Sequence, residues 1–263
     1  MNNNTLRLII DIGNSNIVIG LNNNQEWVKI YRINTKSEIN YWSFEKKLKK
    51  ILDENKISPS EIYSVTVSSV VPSMTDIIKL VINDFLYKEI LLLVPENNNM
   101  INIKIDDISE IGSDLVANAI AARSLYKSNI IIVDFGTALT FTSISNKGDI
   151  LGVSIVPGLK TSINSLYKNT AKLPKVSLKE PMNVIGKNTI ASIQSGIIFG
   201  FSGLVKEILS KTKKELNGET KVIATGGMSK RISSLKIYFN DIIPTLTLDG
   251  LLLFSKKNLK KHK

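Results

Sequence analysis

"LIIDIGNSNIVIGL", residues 8–21, decides how this chain is read. A run of aliphatics delivers one acid, Asp11. Gly13 and three small polar residues, Asn14, Ser15 and Asn16, follow it, and then the aliphatics resume. A second stretch, "IIVDFGTALTFTSI" at 131–144, can be laid over the first. Asp11 falls on Asp134, Gly13 on Gly136, and Asn14-Ser15 on Thr137-Ala138. Alternation of period two resumes in both, through Ile17, Ile19 and Leu21 in one and Thr140, Thr142 and Ile144 in the other. Two copies of strand-turn-strand, spaced by nearly half of a 263-residue chain, predict a duplicated domain.

Each copy is followed by another strand-like segment, "EWVKIYRI" (26–33) and "ILGVSIVPG" (150–158). Helical spacing comes next in the first half: Trp42, Phe44, Leu48, Ile51 and Leu52 within 41–56, with Pro59 just beyond. "YSVTVSSVVP" reads as a strand closed by Pro72, "MTDIIKLVINDFL" as an amphipathic helix and "EILLLV" as a buried strand. In the second half, 189–216 is a long helical candidate and "KVIATGG" a strand ending in glycines. Strands alternating with helices predict an α/β fold. The domain divide is expected within the helix of 113–126. That gives domains 1–118 and 119–255 and a disordered basic tail, 256–263. Glycines 196, 200 and 203 share one helical face, which predicts close helix packing at a subunit contact.

Composition excludes several chemistries. There is no cysteine, so disulfides and cysteine-ligated zinc are absent, and the one histidine is His262. A serine-histidine-aspartate triad and a histidine metal site are therefore ruled out. Acid–base work falls to carboxylates, lysines, tyrosines or water. No segment reaches the roughly 18 uninterrupted apolar residues of a membrane span, and "MNNNTLR" lacks the layout of a secretion signal. A cytoplasmic protein without a membrane partner is expected. The net charge is +11, of which five lysines from 256 onward supply part. Such a tail can bind nucleic acid loosely, but an anionic small molecule suits the charge equally well, and nucleic acid is not the expected partner.

The chemistry concentrates at four places. In each strand-turn-strand, glycine lets a phosphate approach the backbone, and small hydroxyl or amide residues add donors. A strand-end acid facing phosphates needs a cation between them, usually magnesium with its waters. Asp11 with Gly13, Asn14 and Ser15 fits that arrangement, as does Asp134 with Gly136 and Thr137. Facing each other, the two turns would make a nucleotide cleft. "ATGGMS" (224–229) brings Gly226 and Gly227 to the same chemistry. No other phosphate-binding loop competes: there is no G-x-x-x-x-G-K-[ST] and no G-x-G-x-x-G after a strand. "EIGSDLVANAIAAR" (110–123) places Ser113 as a helix N-cap and Asp114 in the first turn. An acid there complements the helix dipole. It is also the carboxylate available to accept a proton from a substrate hydroxyl.

Seven motifs occur in order: "DIGNSNIVIG", "VSSVVPSMT", "IGSDLVANAIAA", "VDFGTALTF", "GVSIVPGL", "NTAKLP" and "ATGG". Together they resemble the type III pantothenate kinases. The resemblance implies two duplicated ribonuclease H-like, actin-like ATPase domains with mixed central sheets and a cleft between them. It implies ATP-dependent phosphorylation of pantothenate, with magnesium and a monovalent cation, potassium or ammonium, in a homodimer. By position, Asp11 would hold magnesium-ATP, with Gly13, Asn14, Ser15, Thr137, Gly226 and Gly227 around the phosphates. Asp134 would sit at the monovalent cation and Asp114 would be the general base. Gly112, Ser113 and Thr170 would contact pantothenate, Thr170 from the partner subunit.

Two departures bear on that expectation. Ser15 stands where the family has threonine, and it keeps the hydroxyl. Leu115 stands where the family has an arginine that pairs with the pantothenate carboxylate, and leucine cannot pair with an anion. Ile105 and Ile108 fall where an aromatic and a proline are usual. Lys172 and Arg123 are candidate replacement cations. The alternatives are another small-molecule kinase of the same superfamily, motivated by Leu115, and a non-catalytic transcriptional accessory factor, motivated by the lysine tail.

Overall fold

The computed structural model describes residues 6–24, 26–35 and 39–259. The chain divides into two compact units. The first comprises residues 1–101, 107–121 and 247–263, and the second 102–106 and 122–246.

The first unit is built on β1 (Leu6–Ile12), β2 (Asn16–Asn22) and β3 (Trp27–Asn34). The helix α1 (Tyr41–Glu54) leads to β4 (Ile62–Ser69), and α2 (Pro72–Val81) leads to β5 (Ile90–Leu93). The sheet runs β3-β2-β1-β4-β5. The β1–β2 and β2–β3 pairs are antiparallel; β1–β4 and β4–β5 are parallel. Local chemistry sets the ends of the helices. The Asn40 side chain accepts from the Ser43 amide at 2.9 Å to start α1, and Pro72 opens α2, where its missing N–H costs nothing. Apolar faces of α1 and α2, including Phe44, Leu48, Met74 and Ile78, pack on Leu8, Ile10 and Ile12 of β1 in one core.

After the short β6 (Asn102–Ile103) and the helix α3 (Ser113–Leu125), the second unit repeats the order. It has β7 (Asn129–Phe135), β8 (Ala138–Ile144), β9 (Asp149–Pro157), α4 (Leu159–Lys168), α5 (Thr189–Leu216), β10 (Thr220–Thr225) and β11 (Asp241–Ile242). Read from β9, its sheet runs β9-β8-β7-β10-β11, the same order as in the first unit, with β6 added beside β9. Again two antiparallel pairs are followed by two parallel ones. Duplication, read from two short stretches, thus extends to whole sheets. Lys104 pairs with Asp149 at 2.8 Å, and Asn102 donates to the same aspartate at 3.0 Å, which fixes 102–106 to the second sheet.

Two expectations are corrected. The final helix, α6 (Leu246–Leu259), was placed with the second domain but belongs to the first unit. Gly250 lies so close to Ala117 that a Cβ would meet the Ala117 carbonyl oxygen at 1.8 Å. Trp27 Nε1 donates to Asp249 at 2.8 Å, and Thr247 donates to Asn118 at 2.8 Å. These contacts also mean that 256–259 are helical and not a disordered tail; 260–263 lie outside the described residues. A Cβ at Gly196, Gly200 or Gly203 would meet nothing within 4 Å, so this face of α5 is open among the described residues. The helix that carries them is long and apolar enough to cross a membrane by length and composition. Of its apolar 18-residue window 28% is buried, and Ile193, Ile197, Ile198, Phe201, Val205 and Leu209 enter the second core.

Gly250→Ala is expected to destabilise the protein by about 2 kcal/mol or more, because backbone cannot yield as a side-chain tip can. Thermal unfolding should show Tm lower by roughly 4–8 °C; an unchanged Tm would contradict the packing of α6 on α3.

Candidate active site

In the first unit the candidate site residues gather at the carboxyl ends of β1 and β4, the usual ligand-binding edge of parallel strands. Ile9, Ile10 and Ile12 are fully buried, while Asp11 between them stays partly exposed as β1 leaves the core. Asp11 and Ser68 are register partners, and Ser68 Oγ donates to Asp11 Oδ1 at 2.8 Å. The turn beyond is held from two sides. Gly13 N donates to Asn16 O at 3.0 Å, and Thr35 donates through Oγ1 to Gly13 O at 2.7 Å and through N to Ser15 O at 3.0 Å. Asn14 is exposed and Ser15 half-buried at its tip.

The start of α3 meets the end of β4. Ser69 N donates to Ser113 Oγ at 3.1 Å, and that hydroxyl donates to Ser69 O at 3.0 Å. Ser113 is therefore a clasp between strand and helix and not the expected N-cap. The Gly112 carbonyl receives the first helical amides, Leu115 N at 3.1 Å and Val116 N at 3.2 Å. Asp114 folds back so that Oδ1 accepts from Leu115 N at 2.8 Å. Only glycine at 112 permits this, since a Cβ would meet Asp114 Oδ1 at 2.4 Å and Val70 Cγ1 at 3.3 Å. Asp114 keeps some exposure, yet burial of its carboxyl pushes the pKa above the usual carboxylate value, against the backbone amides of Leu115 and Asp114 that hold it down.

The second unit repeats the strand-end arrangement. Asp134 of β7 is the register partner of Thr225 at the end of β10, and Gly226 follows with φ +87. A Cβ at Gly226 would lie 2.4 Å from Asp134 Oδ1 and 2.7 Å from the Phe135 backbone, so this glycine satisfies both a left-handed backbone and a close approach. Gly227 is exposed beside it. In the turn, Thr137 is exposed and its carbonyl accepts from Gly158 N at 3.0 Å and Thr161 Oγ1 at 2.6 Å.

The structure places the remaining candidates apart from these turns. Thr170 is exposed after α4, and its hydroxyl donates to Leu166 O at 2.7 Å. Leu115 is 8% exposed and counts among the buried apolar residues. Arg123 is occupied elsewhere: it donates to Asn146 O at 2.8 Å and lies against Gly148. Lys172 is exposed. The sequence gives no role to Ser68 within "VSSVVPSMT" or to Thr35, and marks Gly158 only as part of a Pro-Gly turn. Ser68 is one of four serine or threonine residues in β4, so its role at Asp11 shows only in the strand register, and Thr35 and Gly158 act through contacts with distant backbone that spacing does not show.

Among the described residues no three histidines or acids cluster as a metal cage. The donor set fits magnesium, which takes one or two protein carboxylates and fills its other positions with water and phosphate oxygens. Asp11 is such a carboxylate in the first unit and Asp134 in the second.

The type III pantothenate kinase family model matches residues 7–211 of this chain. Solved structures share the fold at low identity. A 2-dehydro-3-deoxygalactonokinase protein from Sinorhizobium meliloti is 10% identical over 95% of this chain and 96% of its own, with TM-score 0.62. A Baf family transcriptional activator from Campylobacter jejuni is 18% identical over 96% and 98%, with TM-score 0.56. MreB 5 of Spiroplasma citri, bound to AMPPNP, is 13% identical over 98% and 99%, with TM-score 0.52. The fold is that of the actin-like ATPases and sugar kinases.

Asp114 gives a stability test with a definite sign. Its folded pKa is raised above the ordinary 3.8, so folding favours the protonated acid, and that contribution is lost as pH rises through the folded value. Asp114→Asn cannot ionise. Its Tm is expected to exceed that of the parent near neutral pH, with the gap narrowing towards about pH 4. Melts across that range check it; a constant gap would remove the burial argument.

Proposed function

Because the chain belongs to the type III pantothenate kinase family, we propose that it transfers the terminal phosphoryl group of ATP to the primary hydroxyl of pantothenate. This is the first step towards coenzyme A. The observation that carries the reading is Asp114: a desolvated carboxylate, braced by Leu115 N and given room by Gly112, at the strand edge that also holds Asp11. With no histidine in the described chain, it is the group suited to accept a hydroxyl proton near neutral pH.

The reaction is an in-line displacement. The acceptor oxygen bonds to the terminal phosphorus as its proton passes to an Asp114 carboxylate oxygen. The bond from that phosphorus to the bridging oxygen breaks, and ADP leaves with the electron pair. Asp11, oriented by Ser68, holds magnesium through water; bound magnesium neutralises phosphate charge. Gly13, Asn14 and Ser15 in the first unit and Thr137, Gly226 and Gly227 in the second line phosphates. Asp134 is assigned to a monovalent cation, potassium or ammonium, and Gly112 and Ser113 to the acceptor side.

A homodimer accompanies this reading. The open glycine face of α5, with Phe199 and Ile190 exposed on the same helix, suits a second copy, and exposed Thr170 suits contact with that copy's acceptor. The expected compartment is the cytoplasm, where ATP is made. Nucleic-acid binding through the C-terminal lysines is less well supported. Lys256 and Lys257 donate to backbone carbonyls of Asn24 at 3.4 Å and Asn99 at 2.5 Å and so are already engaged. A kinase acting on another alcohol is favoured by one observation, the burial of Leu115, which leaves that position without a cation.

Purified protein with ATP, magnesium, potassium and pantothenate is expected to release ADP and phosphopantothenate, resolved by mass spectrometry. No product over a wide range of acceptor concentration would overturn the reading. Asp114→Asn is expected to lower kcat by roughly 10²–10⁴-fold while calorimetry shows ATP binding unchanged; retained turnover would take the base role from Asp114.

A further inference from the structure

The proposed transfer needs two carboxylates of the first unit in register, Asp11 for the phosphates and Asp114 for the acceptor hydroxyl. They stand on different elements, β1 and α3. The end of β4 joins them. Ser68 Oγ donates to Asp11 Oδ1 at 2.8 Å. The next residue, Ser69, gives both of its backbone groups to Ser113: its N donates to Ser113 Oγ at 3.1 Å, and its O accepts from that hydroxyl at 3.0 Å. Asp114 follows Ser113 directly. Two adjacent serines of one strand thus support one carboxylate each.

This corner of the chain is tied on several sides. Val70 N donates to Ile12 O at 3.0 Å, which fastens it to the end of β1. Val71 N donates to Ser69 Oγ at 3.1 Å and Thr75 Oγ1 to the same oxygen at 2.6 Å, which fastens it to the start of α2. Ser113 is 4% exposed. A hydroxyl has one hydrogen and two lone pairs. Ser113 commits the hydrogen and one lone pair to Ser69, so it has no proton to offer an acceptor molecule. Its side chain serves the acceptor side through Asp114.

We propose that Ser113 is a positioning residue: by gripping both backbone groups of Ser69 it fixes Asp114 relative to Asp11, so that the acceptor hydroxyl and the phosphates meet in line. The inference rests on the reading of Asp114 as the base and deepens it. A misplacement of about 1 Å in such an arrangement costs on the order of 10²-fold in rate. Alanine at 113 releases the start of α3 from β4 and leaves both carboxylates in place chemically.

The test uses the full chain with ATP, magnesium, potassium and pantothenate. Ser113→Ala is expected to lower kcat by on the order of 10–10²-fold and to leave KM for ATP within about twofold of the parent. Ser113→Thr, which keeps a hydroxyl, is expected to recover most of the loss. In the Asp114→Asn background, Ser113→Ala is expected to lower kcat no further, because a residue that acts through Asp114 has nothing left to position. Should Ser113→Ala fail to fold, Ser113→Cys, which fills the same space with a weaker donor, replaces it in both comparisons. A crippled Asp114→Asn beside an unaffected Ser113→Ala, or the full loss repeated in the Asp114→Asn background, would overturn the proposal alone. Undiminished turnover by Asp114→Asn overturns the base reading and the proposal together. If the parent phosphorylates nothing, carboxyl-carbon NMR of Asp114 decides: a titration that Ser113→Ala moves towards the ordinary aspartate range and Ser113→Thr restores upholds the positioning role, and an unmoved titration refutes it.

Discussion

A strand buried on both faces can carry polar side chains at its ends and almost nowhere else. β1 is such a strand: Leu8, Ile9, Ile10 and Ile12 are fully buried. β7 is another, with Ile130, Ile131 and Val133 fully buried. Each releases one carboxylate as it reaches the strand edge, Asp11 and Asp134, and each turns at once through glycine. The neighbouring parallel strand completes the edge, β4 with Ser68 in one unit and β10 with Thr225 and Gly226 in the other. The candidate site residues lie at these edges because the cores behind them have no room for charge.

Within that frame the two edges differ in what surrounds the acid. Asp11 is steadied by a neighbouring hydroxyl, whereas Asp134 faces a glycine whose missing side chain leaves room for it. Asp114 is a third case. It sits in the first turn of α3, where an ionised acid would normally be favoured by the helix N-terminus. Burial wins over that preference and raises its proton affinity. An acid that is slow to ionise is a stronger base once ionised, which is the property a hydroxyl acceptor demands.

Much of this was legible in sequence. The repeat of Asp-x-Gly after an aliphatic run predicted paired sheets, and strand–helix alternation predicted their class, because period-two burial and glycine turns are local signals. Less visible was anything that depended on distant chain. Ser113 looks like a cap by type and position, but the nearby Ser69 backbone claims its hydroxyl. The destination of α6 could not be read from its own residues, since its partners Trp27, Gly20 and Ala117 lie far back along the chain.

That last placement has a consequence for biosynthesis. The first unit contains both the start of the chain and its final helix. While the ribosome is still making residues 122–246, the face of the first sheet that holds Gly20 and Trp27 lacks the helix that covers it. The second unit, contiguous apart from 102–106, has its last element, β11, by Ile242, before α6 is made. A chain cut short before α6 leaves that apolar face of the first unit uncovered.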